Sequence, residues 1–259
     1  MKIFIITLFP EMIKGFFEES ILKKAQDKKL IDFEIINLRE FATDSHKTVD
    51  DRPYGGGAGM VIRADVVISC LKAIKSSYSS TKDSKIIVTS AKGPNFTQKK
   101  AQDLSRLKNL VIICGHYEGF DERIMPHIDE EISIGDFVLT GGEIPACAIA
   151  DAVTRLIPGV LKKIDATQYE SFFSVSVDEL IEVCGEDEVL GLLKKNSIKE
   201  VSLLEYPHYT RPEKIDNVGI PEVLKSGNHH DIHCYRIRQA YKITRLKRPD
   251  LFKVFQVSK

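Results

Sequence analysis

The residues best suited to chemistry lie between Cys114 and Pro145, where the chain reads CGHYEGFDERIMPHIDEEISIGDFVLTGGEIP. Five glycines (Gly115, Gly119, Gly135, Gly141 and Gly142) are interleaved there with many carboxylates. Glycine tolerates positive φ and lets backbone approach a ligand closely, so glycines in successive loops point to a pocket walled by main chain. Glu118 stands between Tyr117 and Gly119, just after an apolar run. Parallel α/β sheets line their ligand crevices at such strand ends, so a functional carboxylate is the favoured reading there. Asp121 and Glu122 read equally well as the acidic start of a helix, and Arg155 as a cation that suits a helix C-terminus.

Two further constellations stand out. Gly55, Gly56, Gly57 and Gly59 form a G-x-G-x-G pattern beside His46, Asp50, Asp51 and Arg52. A dinucleotide fold needs a strand directly before such glycines, and here a polar stretch broken by Pro53 precedes them, with no lysine in P-loop spacing. A specific backbone-lined loop is favoured over a bare flexible one, because ordering so many glycines costs entropy. Near the other end, Ile232–Arg248 carries Arg236, Arg238, Lys242, Arg245, Lys247 and Arg248 without one acid. Arg238, Lys242 and Arg245 share a helix face, with Tyr235 and Tyr241 interleaved, which favours phosphate-backbone contact over a merely solvated face. His229, His230 and His233 have no cysteine or acid cluster to complete a metal site, so none is expected.

The elements that must position these residues follow from hydrophobic patterning. Strands are expected at Lys2–Leu8, Asp32–Leu38, Lys85–Thr89, Leu110–Cys114, Ile132–Ile134 and Phe137–Leu139. Helices are expected at Glu11–Lys29, Ala64–Ser77, Thr97–Leu107 and Glu143–Leu156, the last stopped by Pro158 and Gly159. Such alternation predicts an α/β fold with a mainly parallel sheet covered on both faces. Residues 162–205 show no convincing strand, and Asp178–Glu205 holds eight acids against three lysines, so an acidic interdomain linker is expected there. Residues 206–259 read as a small helical domain with 11 Lys or Arg against 5 Asp or Glu. Lys+Arg and Asp+Glu are both 37 over the whole chain, so a nucleic-acid contact would be local. Five scattered cysteines argue against a disulfide framework or structural zinc, and no run is long enough to span a membrane; a cytoplasmic protein is expected.

Six segments together identify a family. HKTVDDRPYGGGAGM (46–60), CGHYEGFDERI (114–124), SIGDFVLTGGEIPA (133–146), RLIPGVL (155–161), YPHYTRPE (206–213) and SGNH (226–229) closely resemble the bacterial tRNA (guanine-N1)-methyltransferases, the TrmD family. The motifs occur in the family's order and reach both ends of the chain. The resemblance implies a SPOUT fold, in which S-adenosylmethionine binds inside a deep trefoil knot, and a homodimer whose active sites are shared between subunits. It implies methylation of N1 of guanosine 37 in tRNA, beside the anticodon. Magnesium supports activity in the family, although no residue set here spells out a dedicated cage for it.

Carried onto this chain, the resemblance assigns the cofactor to Val88, Thr89, Ser90 and Ala91 on a first loop and to Gly115, Tyr117 and Glu118 on a second. Ile134, Gly135, Phe137, Leu139, Gly141, Gly142 and Pro145 form the third. His46, Asp50, Gly55, Gly56, Gly57 and Gly59 are implied to help place the flipped base, from the partner subunit, and Asn228, His229, Arg236, Arg238, Lys242 and Arg245 to hold tRNA. Arg155 matches the arginine that stabilises charge developing on guanine O6. Glu170, before Ser171 and Phe172, stands where the family has an aspartate and is the expected general base, with Asp165 or water as the fallback. The chain also departs from the family at Ala91 and Lys92, usually proline and glutamine, and in the length of the segment from Phe173 to Ser202. The rival readings are a noncatalytic tRNA-binding protein on the same scaffold, and a class I methyltransferase using Gly55–Gly59, which requires a strand immediately before Gly55.

Overall fold

Short runs of Ile and Val become parallel strands when their alternate side chains meet a hydrophobic layer on each side of the sheet. The computed structural model, which describes residues 1–77, 82–162 and 169–252, divides into two units, Met1–Lys162 and Lys163–Lys259. The first runs β1 (Lys2–Thr7), α1 (Pro10–Phe17), α2 (Ser20–Asp27), β2 (Asp32–Asn37), β3 (Asp50–Asp51), β4 (Val61–Ile62) and α3 (Ala64–Ser77). It continues with β5 (Ser84–Thr89), α4 (Gln98–Ser105), β6 (Asn109–Ile113), β7 (Glu130–Ile132) and α5 (Glu143–Thr154). The sheet order is β2-β1-β6-β5-β7, with every neighbouring pair parallel. Ile3, Ile5, Ile87 and Ile112 face α1, α2 and α5, while Phe4, Ile6, Val88, Val111 and Ile113 face α3. The α/β class and mainly parallel sheet expected from the sequence are therefore present.

Two local expectations need correction. The helix expected over Glu11–Lys29 is two helices, separated around Glu18 and Glu19, with Ser20 at φ 52. The break re-phases the apolar face: after Ile13 and Phe17 the chain buries Leu22 and Ala25, whereas an unbroken helix would have buried Ile21, which is exposed. Phe137–Leu139, expected as a strand, is a loop of exposed side chains. Gly135 at φ 153 and the hydrogen bond from Phe137 N to Gly135 O turn the chain away from the sheet there.

The second unit overturns the expectation of a linker followed by a helical domain. Its described part contains β8 (Phe173–Ser176), α6 (Val177–Cys184), α7 (Glu188–Lys195) and β9 (Glu200–Leu203). Two short strands, β10 (Lys214–Ile215) and β11 (Val218–Gly219), precede α8 (His229–Lys247). β8 and β9 pair antiparallel, and Phe173, Val175, Leu180, Leu190, Leu193, Val201 and Leu203 share one apolar core with Ile237, Ala240 and Tyr241 of α8. The acidic segment is thus part of a folded core rather than a connector. Asp178, Glu182 and Glu188 are exposed on α6 and α7 while Glu179 and Asp187 face α8, so the charge count concealed an ordinary amphipathic pattern. Asp165, the fallback base, lies outside the described residues.

Cys70, Cys114 and Cys147 are buried, and burial pushes the thiols of Cys70 and Cys147 up to about 12. Only Cys184 and Cys234 are partly accessible. Titration of the native protein with a thiol reagent at neutral pH is expected to modify Cys234 and Cys184 and to leave the other three until denaturant is added. Fast modification of all five would contradict this packing.

Candidate active site

Three loops at the carboxyl ends of β5, β6 and β7 enclose a cleft of about 300 Å³. Thr89, Ser90 and Ala91 line it from the first loop, Gly115, Tyr117 and Glu118 from the second. Ile134, Gly135, Phe137, Leu139, Gly141, Gly142 and Pro145 line it from the third. Adjacent strand ends in a parallel sheet place three distant segments of sequence side by side, which is why they converge. Val88 is the exception among the residues assigned here. Its side chain is wholly buried in the cluster against α3, and it does not line the cleft.

The third loop returns to the second by backbone contact. Gly142 N donates to Gly115 O at 2.7 Å, and His116 forms a bridge with Gly141. A Cβ on Gly142 would lie 2.6 Å from Gly115 N and 2.8 Å from Cys114 Cα, and would also collide with Thr89 Oγ1. Gly142 is therefore required by close approach, not by its φ. Tyr117 is the strained member of the site: its φ is 57, in the left-handed region that non-glycine residues rarely adopt. The turn around it is tied by Gly119 N to His116 O (3.0 Å) and Glu118 N to Met60 O (3.1 Å).

The second of these bonds joins the turn to the glycine loop. Residues 52–60 connect the antiparallel pair β3 and β4, and Gly55, Gly56, Gly57 and Gly59 all have positive φ. Ile62 N donates to Gly119 O, and a Cβ on Gly59 would lie 2.5 Å from Glu118 Oε1. Within one chain, then, the base of this loop sits against the cleft's own carboxylate. His46 is exposed, and Asp50, in β3, is half-buried. The loop before Gly55 is not a strand-to-helix turn, which removes the class I cofactor reading.

Arg155 is not brought to the cleft. It caps the C-terminus of α5, whose N-cap is Gly142, so the two lie a whole helix apart, about 20 Å at 1.5 Å per residue. Glu170 is half-buried in the second unit, in the turn where Phe173 N donates to Glu170 O at 3.0 Å.

Three residues around the site escaped sequence reading: Thr7, His116 and Glu143. Glu143 is completely buried, and its carboxyl is bonded by Thr7 Oγ1 at 2.5 Å and paired with His116 Nε2 at 2.9 Å. The signal was available: Glu143 is in helical phase with Ala146, Ala150 and Val153, so the apolar stripe of α5 predicts its burial. The cleft also carries Glu118, Glu122 and Glu131 against Lys92, an acidic balance suited to a cationic ligand.

On α8 the expected phosphate-facing row is partly committed elsewhere. Arg238 Nε donates to Val183 O at 2.7 Å, and Arg245 pairs with Asp187 at 2.7 Å. Asp187 also caps α7 and accepts from Tyr241 Oη at 2.8 Å; burial first, and this carboxylate second, raise the Tyr241 phenol above its ordinary range. Asn228 is the N-cap of α8, accepting from His230 N and Asp231 N, and His229 is the exposed first residue. Arg236 lies over the Tyr206 ring at 4.8 Å, and Lys242 is exposed. Arg245 looked uncompensated because its acid, Asp187, lies 58 residues earlier in the acidic segment, whereas Arg248 pairs with Asp250 just beyond the helix.

Gly142→Ala is expected to destabilise the protein by about 1–3 kcal/mol in urea unfolding, through overpacking against Thr89 and Gly115, and to close the cleft to its ligand. Asp187→Ala is expected to remove about 1–2 kcal/mol, the worth of a helix cap and an exposed ion pair, with little effect on the cleft. A wild-type unfolding midpoint for either variant would refute the corresponding contact.

Among the described residues no three His, Cys, Asp or Glu side chains come together as a metal site. No helix among those residues is long and apolar enough to cross a membrane. The family model described as "tRNA (Guanine-1)-methyltransferase TrmD" matches residues 1–185 and 180–254. Curated proteins named tRNA (guanine-N(1)-)-methyltransferase are similar over nearly the whole chain. That of Alkaliphilus metalliredigens is 46% identical over 260 residues, covering 100% of this chain and 94% of the relative. That of Dictyoglomus turgidum is 45% identical over 251 residues (97% and 89%), and that of Bacillus subtilis 45% over 254 (98% and 93%). With its glycine-walled cleft and matches of this extent, the chain belongs to the TrmD family of tRNA (guanine-1)-methyltransferases.

Proposed function

We propose that this chain transfers a methyl group from S-adenosylmethionine to N1 of guanosine 37 in tRNA, beside the anticodon, and works in the cytoplasm as a homodimer with shared active sites. The observation that carries this reading is the cleft formed by three loops at the ends of β5, β6 and β7 in a chain matched by the family along its length. The cleft suits the donor. Its walls combine bare backbone at Gly115, Gly141 and Gly142 with Ile134, Phe137 and Leu139, and its carboxylates favour a cation. S-adenosylmethionine, when bound, supplies a methyl group already made electrophilic by the sulfonium.

The chain's own residues then have two tasks. N1 of neutral guanine bears a proton, and Glu170 takes it, freeing the electron pair that forms the new N–C bond. The charge that builds on O6 is met by the guanidinium of Arg155. Arg155 and the cleft stand at opposite ends of α5 within one chain, which supports a site completed by a second copy. Exposed Phe9, which caps α1, Met12 and Phe16 of α1, and Ile144 of α5 offer apolar surface for that copy. His46, Asp50 and the Gly55–Gly59 loop help place the base, and Arg236, Lys242 and His229 remain available for tRNA backbone on α8. A knotted path is supported by the course of the chain after β7. Residues 132–133 run against the Ser90–Phe96 loop, through Ser90 N to Ile132 O and Phe96 N to Ser133 O, before the chain turns back to Gly115.

The decisive assay is transfer of labelled methyl from S-adenosylmethionine to tRNA transcripts that differ only at position 37. Incorporation into the guanosine transcript alone is expected. Tight tRNA binding without incorporation would favour the noncatalytic reading, and methylation of an adenosine transcript would overturn the base specificity. Glu170→Gln is expected to lower the single-turnover rate at least a hundredfold; a near-normal rate would move the proton acceptor to Asp165 or water.

A further inference from the structure

We propose that buried Thr7 and Glu143, with the half-buried His116 at the cleft wall, form a positioning triad that sets the grip of the cleft on its methyl donor without touching the chemistry. This rests on the cleft being the donor site. The centre of the triad is Glu143, which has no exposed surface although it lies directly behind the cleft. A buried carboxyl is costly unless its oxygens are bonded, and here each one is. Thr7 Oγ1, at the end of β1, donates to Oε1 at 2.5 Å, and His116 Nε2 pairs with Oε2 at 2.9 Å. Thr7 is itself fixed by accepting Phe9 N at 2.9 Å. The first turn of α5 adds its N-terminal dipole to the stabilisation of the carboxyl.

The triad joins the end of β1, the turn after β6 and the start of α5. Its reach into the cleft runs through His116, one residue before the left-handed Tyr117. The imidazole packs edge-on against Phe9, with ring centroids 4.8 Å apart, and is bonded by Glu143. Gly141 presses on both members: a Cβ there would lie 2.5 Å from Glu143 Oε2 and collide with His116 Nε2. The same imidazole thus orders two loops of the donor cleft, the Tyr117 turn and the Gly141–Gly142 return. A side chain that only filled space would need no buried acid to hold it. Among the described residues Glu143 is the one acid with no exposed surface.

The test compares His116→Ala with His116→Gln, whose amide can still donate to Glu143, and with Thr7→Val, whose side chain does not line the cleft. Binding of S-adenosylmethionine to the full-length protein is measured by calorimetry, beside steady-state kinetics with tRNA. His116→Ala is expected to raise the Kd and KM for the donor at least tenfold, with kcat at saturating donor and KM for tRNA within threefold of wild type. Thr7→Val is expected to weaken donor binding at least threefold, and His116→Gln to recover most of the affinity. Donor binding by His116→Ala within twofold of wild type would overturn the triad, as would a fall in kcat at unchanged KM. If the other two variants do not fold, folded His116→Gln decides, because a tenfold loss of affinity there also overturns it. Failure of the wild-type protein to bind the donor would instead refute the reading of the cleft.

Discussion

The cleft exists because backbone meets backbone where Gly142 reaches Gly115. The hydrogen bond between them is 2.7 Å long, and Thr89 and Cys114 fill the space in which a side chain would project. That contact fixes where α5 begins, since Gly142 is its N-cap. The start of α5 in turn delivers Glu143 to Thr7 and His116, and the length of α5 carries Arg155 to its far end. A side chain at position 142 would lift the return loop away from the sheet, and these placements would be lost together.

The second unit illustrates how charge counts mislead when read along the chain. An acidic stretch and a basic helix are separate features in sequence, yet Asp187 holds Arg245 and Tyr241, and Glu179 pairs with His233 at 3.0 Å. Such exposed pairs contribute little stability individually, so their effect is to orient α6 and α7 against α8. The cost is borne by the basic face, of which Arg238 and Arg245 are already engaged. The basic face of α8 therefore offers fewer uncommitted cations than the six the sequence displays.

Strands with two buried faces were legible because short Ile- and Val-rich runs, at the centre of strands of five or six residues, have few other uses. The loops of the cleft were legible because their glycines lie just after those runs. The linker was misread because β8 and β9 are only four residues each, and each alternates buried with exposed positions too briefly to stand out. The apolar Phe137–Leu139 invited a strand reading, yet these side chains face outward along the cleft rather than into the sheet.

The sequence by itself determined the family, the parallel sheet and the segments that would wall the cleft, because local patterning and motif order are one-dimensional properties. Tertiary structure alone decided that Val88 points away from the cleft, that Arg155 stands a helix length from it, and that Glu143 is its buried support. These are consequences of which face of a strand or which end of a helix a residue occupies after packing. Thr7 and Glu143 are 136 residues apart, and only the assembled sheet with α5 packed on it brings β1 and α5 together. Distance along a chain carries no information about such a contact; close packing creates it.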